Sequence, residues 1–172
     1  MHCGLLIHHF SCATPLLATF HPKAVHECTP VKPMQTYQIV LDTNVLLAGL
    51  RSRRGASYKL LTILNDNRWQ LNISTTLVFE YEEILKQEQM QLGLSLEDID
   101  DVINALCAIA NKRSIFYLWR PMLNDPDDDF LVDLAVEAQA HYIITYNQKD
   151  LQPAEKFGIK VVTPKQFLQL MG

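Results

Sequence analysis

From residue 34 onward the apolar positions follow two rhythms. Short continuous runs read as strands: Tyr37–Leu41, "QLNIS" (70–74), "SIFYLW" (114–119), "HYIIT" (141–145) and "IKVV" (159–162). The first, with Ile39, Val40 and Leu41 consecutive, predicts a strand buried on both faces. Stretches between the runs carry a helical period. Asn44 is placed to cap a short helix through Leu50, and a second helix is expected from Ser57 to about Asn65. Ser74, Thr75 or Thr76 caps a third, to about Gln89, before "LGLS" breaks the chain. Ser95 opens a fourth, to about Asn111, with Ile99, Val102, Ile103, Leu106 and Ile109 as its stripe. Phe130 to Gln139 forms a fifth, and Thr163 caps the last with Pro164 at its first position. "RSRRGAS", "RPMLNDPDDD" and "YNQKDLQPAEKFG" read as loops. Strands alternating with helices predict an α/β fold with a mainly parallel sheet.

Residues 1–33 keep neither rhythm. They hold five of the six histidines, three of the four cysteines and half of the prolines. No basic residue precedes the apolar "GLLI", which argues against a signal peptide. The His and Cys spacings fit no compact zinc pattern. A disordered leader is the expectation, with Met34 as the natural start and 34–172 as the folded domain.

Composition narrows the classes. The chain has 172 residues, 48% apolar and 20% charged, which suits one soluble globular domain with a real core. A formal net charge of -4 excludes a generally basic nucleic-acid binder, so contact with an anionic polymer needs a local patch. The dense one is Arg51, Arg53 and Arg54. No apolar run reaches the ~18 residues of a membrane span. The cysteines form no CxxC pair, and a reducing cytoplasm is expected.

The chemistry lies in the carboxylates. Asp42 ends the first strand, and open α/β sheets build sites beyond the carboxyl ends of their strands. The stretch Thr145–Tyr146–Asn147 ends another strand at the same rim. Glu80 falls within or beside the apolar stripe Leu77, Tyr81, Ile84 and Leu85 of its helix. Asp128 and Asp129 open a helix, with Asp128 aligned on the stripe of Leu131 and Ala135. Alone these acids would be helix caps. Together they make a carboxylate cluster with few cations nearby, and a divalent cation relieves its repulsion. Oxygen-only ligation suits Mg²⁺ or Mn²⁺, whose usual work is phosphoryl chemistry.

Three motifs, "IVLDTNVLLAGL", "ISTTLVFEYEEIL" and "NDPDDDFLVDLAVEAQAHYIITYNQKDL", span most of residues 37–151. They resemble the PIN domains, metal-dependent ribonucleases, and are most similar to the branch of type II toxin–antitoxin toxins. The resemblance implies a three-layer α/β/α sandwich and a Mg²⁺-dependent endoribonuclease. It implies Asp42, Glu80 and Asp128 or Asp129 as metal ligands. Asp128 matches through Ala135 seven residues on, whereas counting back from Thr145 chooses Asp129. Thr43, Asn44, Ser74 and Thr145 match supporting positions. Asn147 stands where many members carry a fourth aspartate, with Asp150 three residues further on. The resemblance further implies an RNA substrate, an antitoxin partner and a homodimer, with Arg51, Arg53 and Arg54 placed to track an RNA backbone. The alternative is a catalytically weak or inactive module of the same fold that binds RNA or protein. A dehalogenase-type phosphatase with Asp42 as nucleophile ranks last, because Asn44 stands where its second aspartate belongs.

Overall fold

The computed structural model describes residues 36–123 and 128–172. The leader 1–33 and the reading of Met34 as the start lie outside those residues. Strand β1 is Tyr37–Leu41, and Ile39, Val40 and Leu41 are wholly buried. An unbroken apolar run needs cover on both faces, which places it in mid-sheet. The other strands are β2 (Trp69–Ile73), β3 (Asn111–Lys112), β4 (Tyr142–Ile144) and β5 (Lys160–Val162). Their order is β3-β2-β1-β4-β5, and every pairing is parallel. Ile39 lies opposite Leu71 on one side and Tyr142 on the other.

Parallel neighbours require long crossovers, and helices supply them. Helices α1 (Thr43–Arg51) and α2 (Ala56–Thr62) lead from β1 to β2. Helices α3 (Thr75–Gln87), α4 (Gln89–Leu92) and α5 (Leu96–Ile109) lead to β3. Helix α6 (Asp129–Glu137) precedes β4, and α8 (Pro164–Met171) closes the chain. The result is a three-layer α/β/α sandwich with an all-parallel sheet. No helix among the described residues is long and apolar enough to cross a membrane.

Helix starts follow their caps. Ser74 takes the Leu77 N–H at 3.2 Å, and Ser95 forms a reciprocal box with Asp98. Thr163 does the same with Gln166, ahead of Pro164. Gly93, at φ 65, ends α4 in the left-handed region, where a glycine carries no Cβ penalty.

Four expectations change. Asp42, not Asn44, caps α1: its backbone is extended and its carboxylate takes the Asn44 N–H. "SIFYLW" is not a strand. β2 turns into α3 after Ile73, so the last backbone bond available to that edge is from Arg113 N–H to the Ile73 carbonyl. Beyond it Phe116 is 77% exposed, and buried Asp133 draws in the Trp119 N–H at 2.7 Å and Arg120 Nε at 3.0 Å. As large aromatic side chains, both tryptophans would be expected to pack in the core. That holds for Trp69, whose Nε1 donates to the Leu64 carbonyl, but Trp119 is 46% exposed. "YNQKDLQPAEKFG" contains α7 (Gln148–Leu151) and a 3-10 turn (Gln152–Phe157).

The contrast between mid-sheet and edge is measurable. Ile39→Ala should cost about 2–5 kcal/mol in denaturant unfolding. Phe116→Ser should stay within about 0.5 kcal/mol, because that side chain lies outside the core. Comparable losses would show that residues 114–119 pack as a strand.

Candidate active site

Asp42 reaches the rim because β1 delivers it there. Its N–H donates to the Ile144 carbonyl at 3.0 Å, the last rung between β1 and β4. The side chain is buried, and three donors hold it. Oδ2 accepts from Thr145 Oγ1 at 2.5 Å and Asn44 Nδ2 at 2.7 Å, and Oδ1 accepts from the Asn44 N–H at 3.2 Å. Thr145 is fully buried and itself accepts from the Asn147 N–H at 2.8 Å and Asn44 Nδ2 at 3.2 Å. Asn44 Oδ1 in turn accepts the Tyr146 N–H at 3.2 Å. One asparagine and one threonine therefore lock the ends of β1 and β4 around the carboxylate.

Glu80 arrives from α3. Leu77, Tyr81 and Leu85 seat that helix in the core, and Glu80 sits half-buried beside them. Thr43 Oγ1 donates to its Oε1 at 2.5 Å, so the residue after Asp42 bridges to the second acid. The hydroxyl of buried Tyr81 donates to the Leu41 carbonyl, pinning α3 to the end of β1. Ser74 acts at a distance, by capping the helix that carries Glu80.

The two aspartates of α6 separate. Asp129 is buried and accepts the backbone N–H groups of Leu123 at 2.8 Å and Met122 at 3.2 Å. Its carboxylate is thus occupied in holding the preceding loop. Asp128, one residue earlier and half-exposed, lies near enough for its charge to act on Glu80. Asn147 and Asp150 stand half-exposed after β4.

Electrostatics set this rim apart. Burial pushes the Asp42 carboxyl above its usual range, against the pull of Thr145 and Asn44. Glu80 is raised too, first by burial and then by the charges of Asp42, Asp128 and Glu83, with Thr43 opposing. Neither has an ion-pair partner among the described residues. Among the described residues Oε2 of Glu80 accepts no side-chain hydrogen bond, and Oδ1 of Asp42 accepts the Asn44 N–H only at 3.2 Å, so both carboxylates retain acceptor capacity. An all-oxygen set with raised carboxylates suits a hard divalent cation in its chemistry. As placed, no three acidic, histidine or cysteine side chains among the described residues stand close enough to share one ion.

A family model for the PIN domain matches residues 38–149, well over half of the chain. The chain belongs to the PIN domain family. Those residues run from β1 into α7 and contain Asp42, Glu80, Asp128 and Asp129, stopping one residue before Asp150. PIN domains are in general nucleases and typically use divalent metal ions. The fold is similar to VapBC-1 from nontypeable Haemophilus influenzae, at TM-score 0.53 and 19% identity, over 74% of this chain and 98% of that one. It is also similar to VapBC2 from Rickettsia felis bound to a promoter DNA fragment, at TM-score 0.51 and 14% identity, over 72% and 96%. Comparison with curated proteins gave no match.

Several features of this PIN-domain rim were not read from the sequence. Tyr81 looked like one more apolar residue, and its hydroxyl bond to Leu41 joins residues forty positions apart. The basic stretch also divides. Arg51 is tied to Glu88 at 2.6 Å, whereas Arg53 and Arg54 are exposed and make no ion pair among the described residues.

The division of labour between Asp128 and Asp129 is testable. Asp129→Ala frees two backbone amides and should cost about 1–3 kcal/mol of stability. Asp128→Asn should lower Tm less than Asp129→Ala does while weakening Mg²⁺ binding in calorimetric titration. The reverse pattern would make Asp129 the ligand.

Proposed function

We propose that the chain is a Mg²⁺- or Mn²⁺-dependent endoribonuclease, acting in the cytoplasm as the toxin of a toxin–antitoxin pair. The observation that carries this is the rim itself: Asp42 and Glu80, linked through Thr43, without an ion-pair partner among the described residues and within reach of the Asp128 charge. Asp42, Glu80 and Asp128 would hold the ion, directly or through water, with Asp129 bracing the loop that precedes Asp128. When bound, such an ion screens the scissile phosphate and lowers the pKa of water. The remaining work belongs to the chain. Asn44 and Thr145 fix the Asp42 carboxylate, so that it need not reorganise during reaction. Thr43 keeps Glu80 turned toward Asp42. Asn147 would position a water or the surroundings of the ion, in place of a fourth acid. The family resemblance implies products with a 5′-phosphate and a 3′-hydroxyl.

The VapBC neighbours support a partner protein, and we extend this to an antitoxin covering the acidic rim of a homodimer. A second reading has one observation in its favour. Asn147 supplies no charge, and among the described residues no three carboxylates close a shell around one ion. On that reading the domain binds RNA or protein without cutting.

Cleavage of RNA with and without Mg²⁺, by the wild type and by Asp42→Asn, separates the readings. The proposal expects metal-dependent cutting that falls in Asp42→Asn by at least the ~10–100-fold typical when a metal site loses a supporting partner. Equal activity in both proteins would reject the site. Retained RNA binding with no cutting in any divalent metal would favour the second reading.

A further inference from the structure

Apart from the acids, four cations without an ion pair among the described residues gather around one cavity. A cavity of about 350 Å³ is lined by Arg53, Arg54 and Lys59, from the start of α2 and the loop before it, and by Lys165 of α8. None of the four makes an ion pair among the described residues. Concentrating four such charges in a chain of net charge -4 runs against its composition. Lys165 could not be associated with the arginines from sequence, since more than a hundred residues separate them. The fold joins them because α8 begins directly after β5, whose Val162 carbonyl accepts the Thr145 N–H at 2.9 Å. Lys165 therefore starts at the same rim as Asp42.

Tyr146 connects the acidic and basic parts. Its N–H is held by Asn44, which also holds Asp42. Its hydroxyl meets Ser57 Oγ at 2.8 Å. Ser57 is buried, and its chain neighbours Ala56 and Tyr58 line the basic cavity. The tyrosine is pinned at both ends yet remains 51% exposed. A fixed, half-open aromatic ring beside unpaired cations is the combination that single-stranded nucleic acid uses: bases stack and phosphates track the charge. A duplex hides its base faces and cannot use such a ring.

We propose that Tyr146 with Arg53, Arg54, Lys59 and Lys165 forms a binding track for single-stranded RNA, with one base stacked on Tyr146 and the phosphates beyond it led into the basic cavity. This rests on the ribonuclease reading for the identity of the polymer.

Fluorescence anisotropy of the full chain in EDTA, with a short single-stranded RNA and the duplex of the same sequence, tests the track apart from catalysis. The single strand should bind more tightly than the duplex. Tyr146→Ala should weaken single-strand binding about 5- to 150-fold. Tyr146→Phe keeps the ring and should lose much less. Arg54→Ala and Lys165→Ala are surface changes that leave the core intact, and each should flatten the salt dependence by about 0.7 in log–log slope. Duplex binding as tight as the single strand, or unchanged affinity in Tyr146→Ala, would overturn the track, as would an unchanged slope in Lys165→Ala. The same RNA incubated with Mg²⁺ distinguishes the two failures. The binding pattern without cutting supports the track and rejects the ribonuclease reading. Cutting without the pattern rejects the track and leaves that reading standing.

Discussion

A carboxylate buried at the end of the central strand, without a cation to pair it among the described residues, is the constraint around which this rim is built. Isolated charge in such a place is costly, and a protein ordinarily removes it or pairs it. Here Asp42 is kept and surrounded by hydrogen-bond donors. Asn44 and Thr145 supply most of them, and both also tie β1 to the chain that follows β4. The polar contacts that make Asp42 tolerable are therefore the contacts that close the sheet at this end.

The same economy places the second acid. Thr43 follows Asp42 at the first position of α1, so its hydroxyl reaches across to Glu80. Tyr81, the next residue on α3, fixes that helix to the strand end through the Leu41 carbonyl. On the far side Asp129 and Asp133 are buried for a different purpose. Each accepts backbone N–H groups of residues 119–123 and so shapes the approach to α6. Buried acids in this molecule thus fall into two kinds. Those on α6 are satisfied by the loop they hold. Those at the rim keep acceptor capacity in reserve.

Much of this was legible in the residues. The continuous run Ile39–Leu41 predicted a strand buried on both faces, caps at Ser95 and Thr163 predicted two helix starts, and a third was narrowed to Ser74, Thr75 or Thr76, of which Ser74 is the cap, because these signals are local. The candidacy of Asp42 and Glu80 was also legible, from a strand end and a helix stripe. What failed was tertiary. "SIFYLW" has a strand's composition, but strands need a neighbour, and β2 ends at Ile73. Periodicity aligned Asp128 with Leu131 and Ala135 but did not show what Asp129 does. The difference comes from two loop amides that reach only Asp129. The meeting of Lys165 with Arg53 and Arg54 depends on sheet order, which no local pattern encodes.

The central claim is that Glu80 and Asp42 are held at a rim that disfavours their charge until a cation arrives. Both are raised from their ordinary values, so the folded state binds more protons than the unfolded one just above those values. Their contribution to stability is therefore present at low pH and is lost as pH rises through the raised range. Glu80→Gln removes one such charge and keeps the acceptor for Thr43. The decisive measurement is the Tm of wild type and Glu80→Gln across pH 4 to 8, with and without Mg²⁺. In metal-free buffer the variant should be the more stable at pH 8, the advantage should vanish toward pH 4, and Mg²⁺ at pH 8 should raise the wild type alone. A variant less stable than wild type at pH 8 without metal, or a wild type indifferent to Mg²⁺ there, would contradict the account.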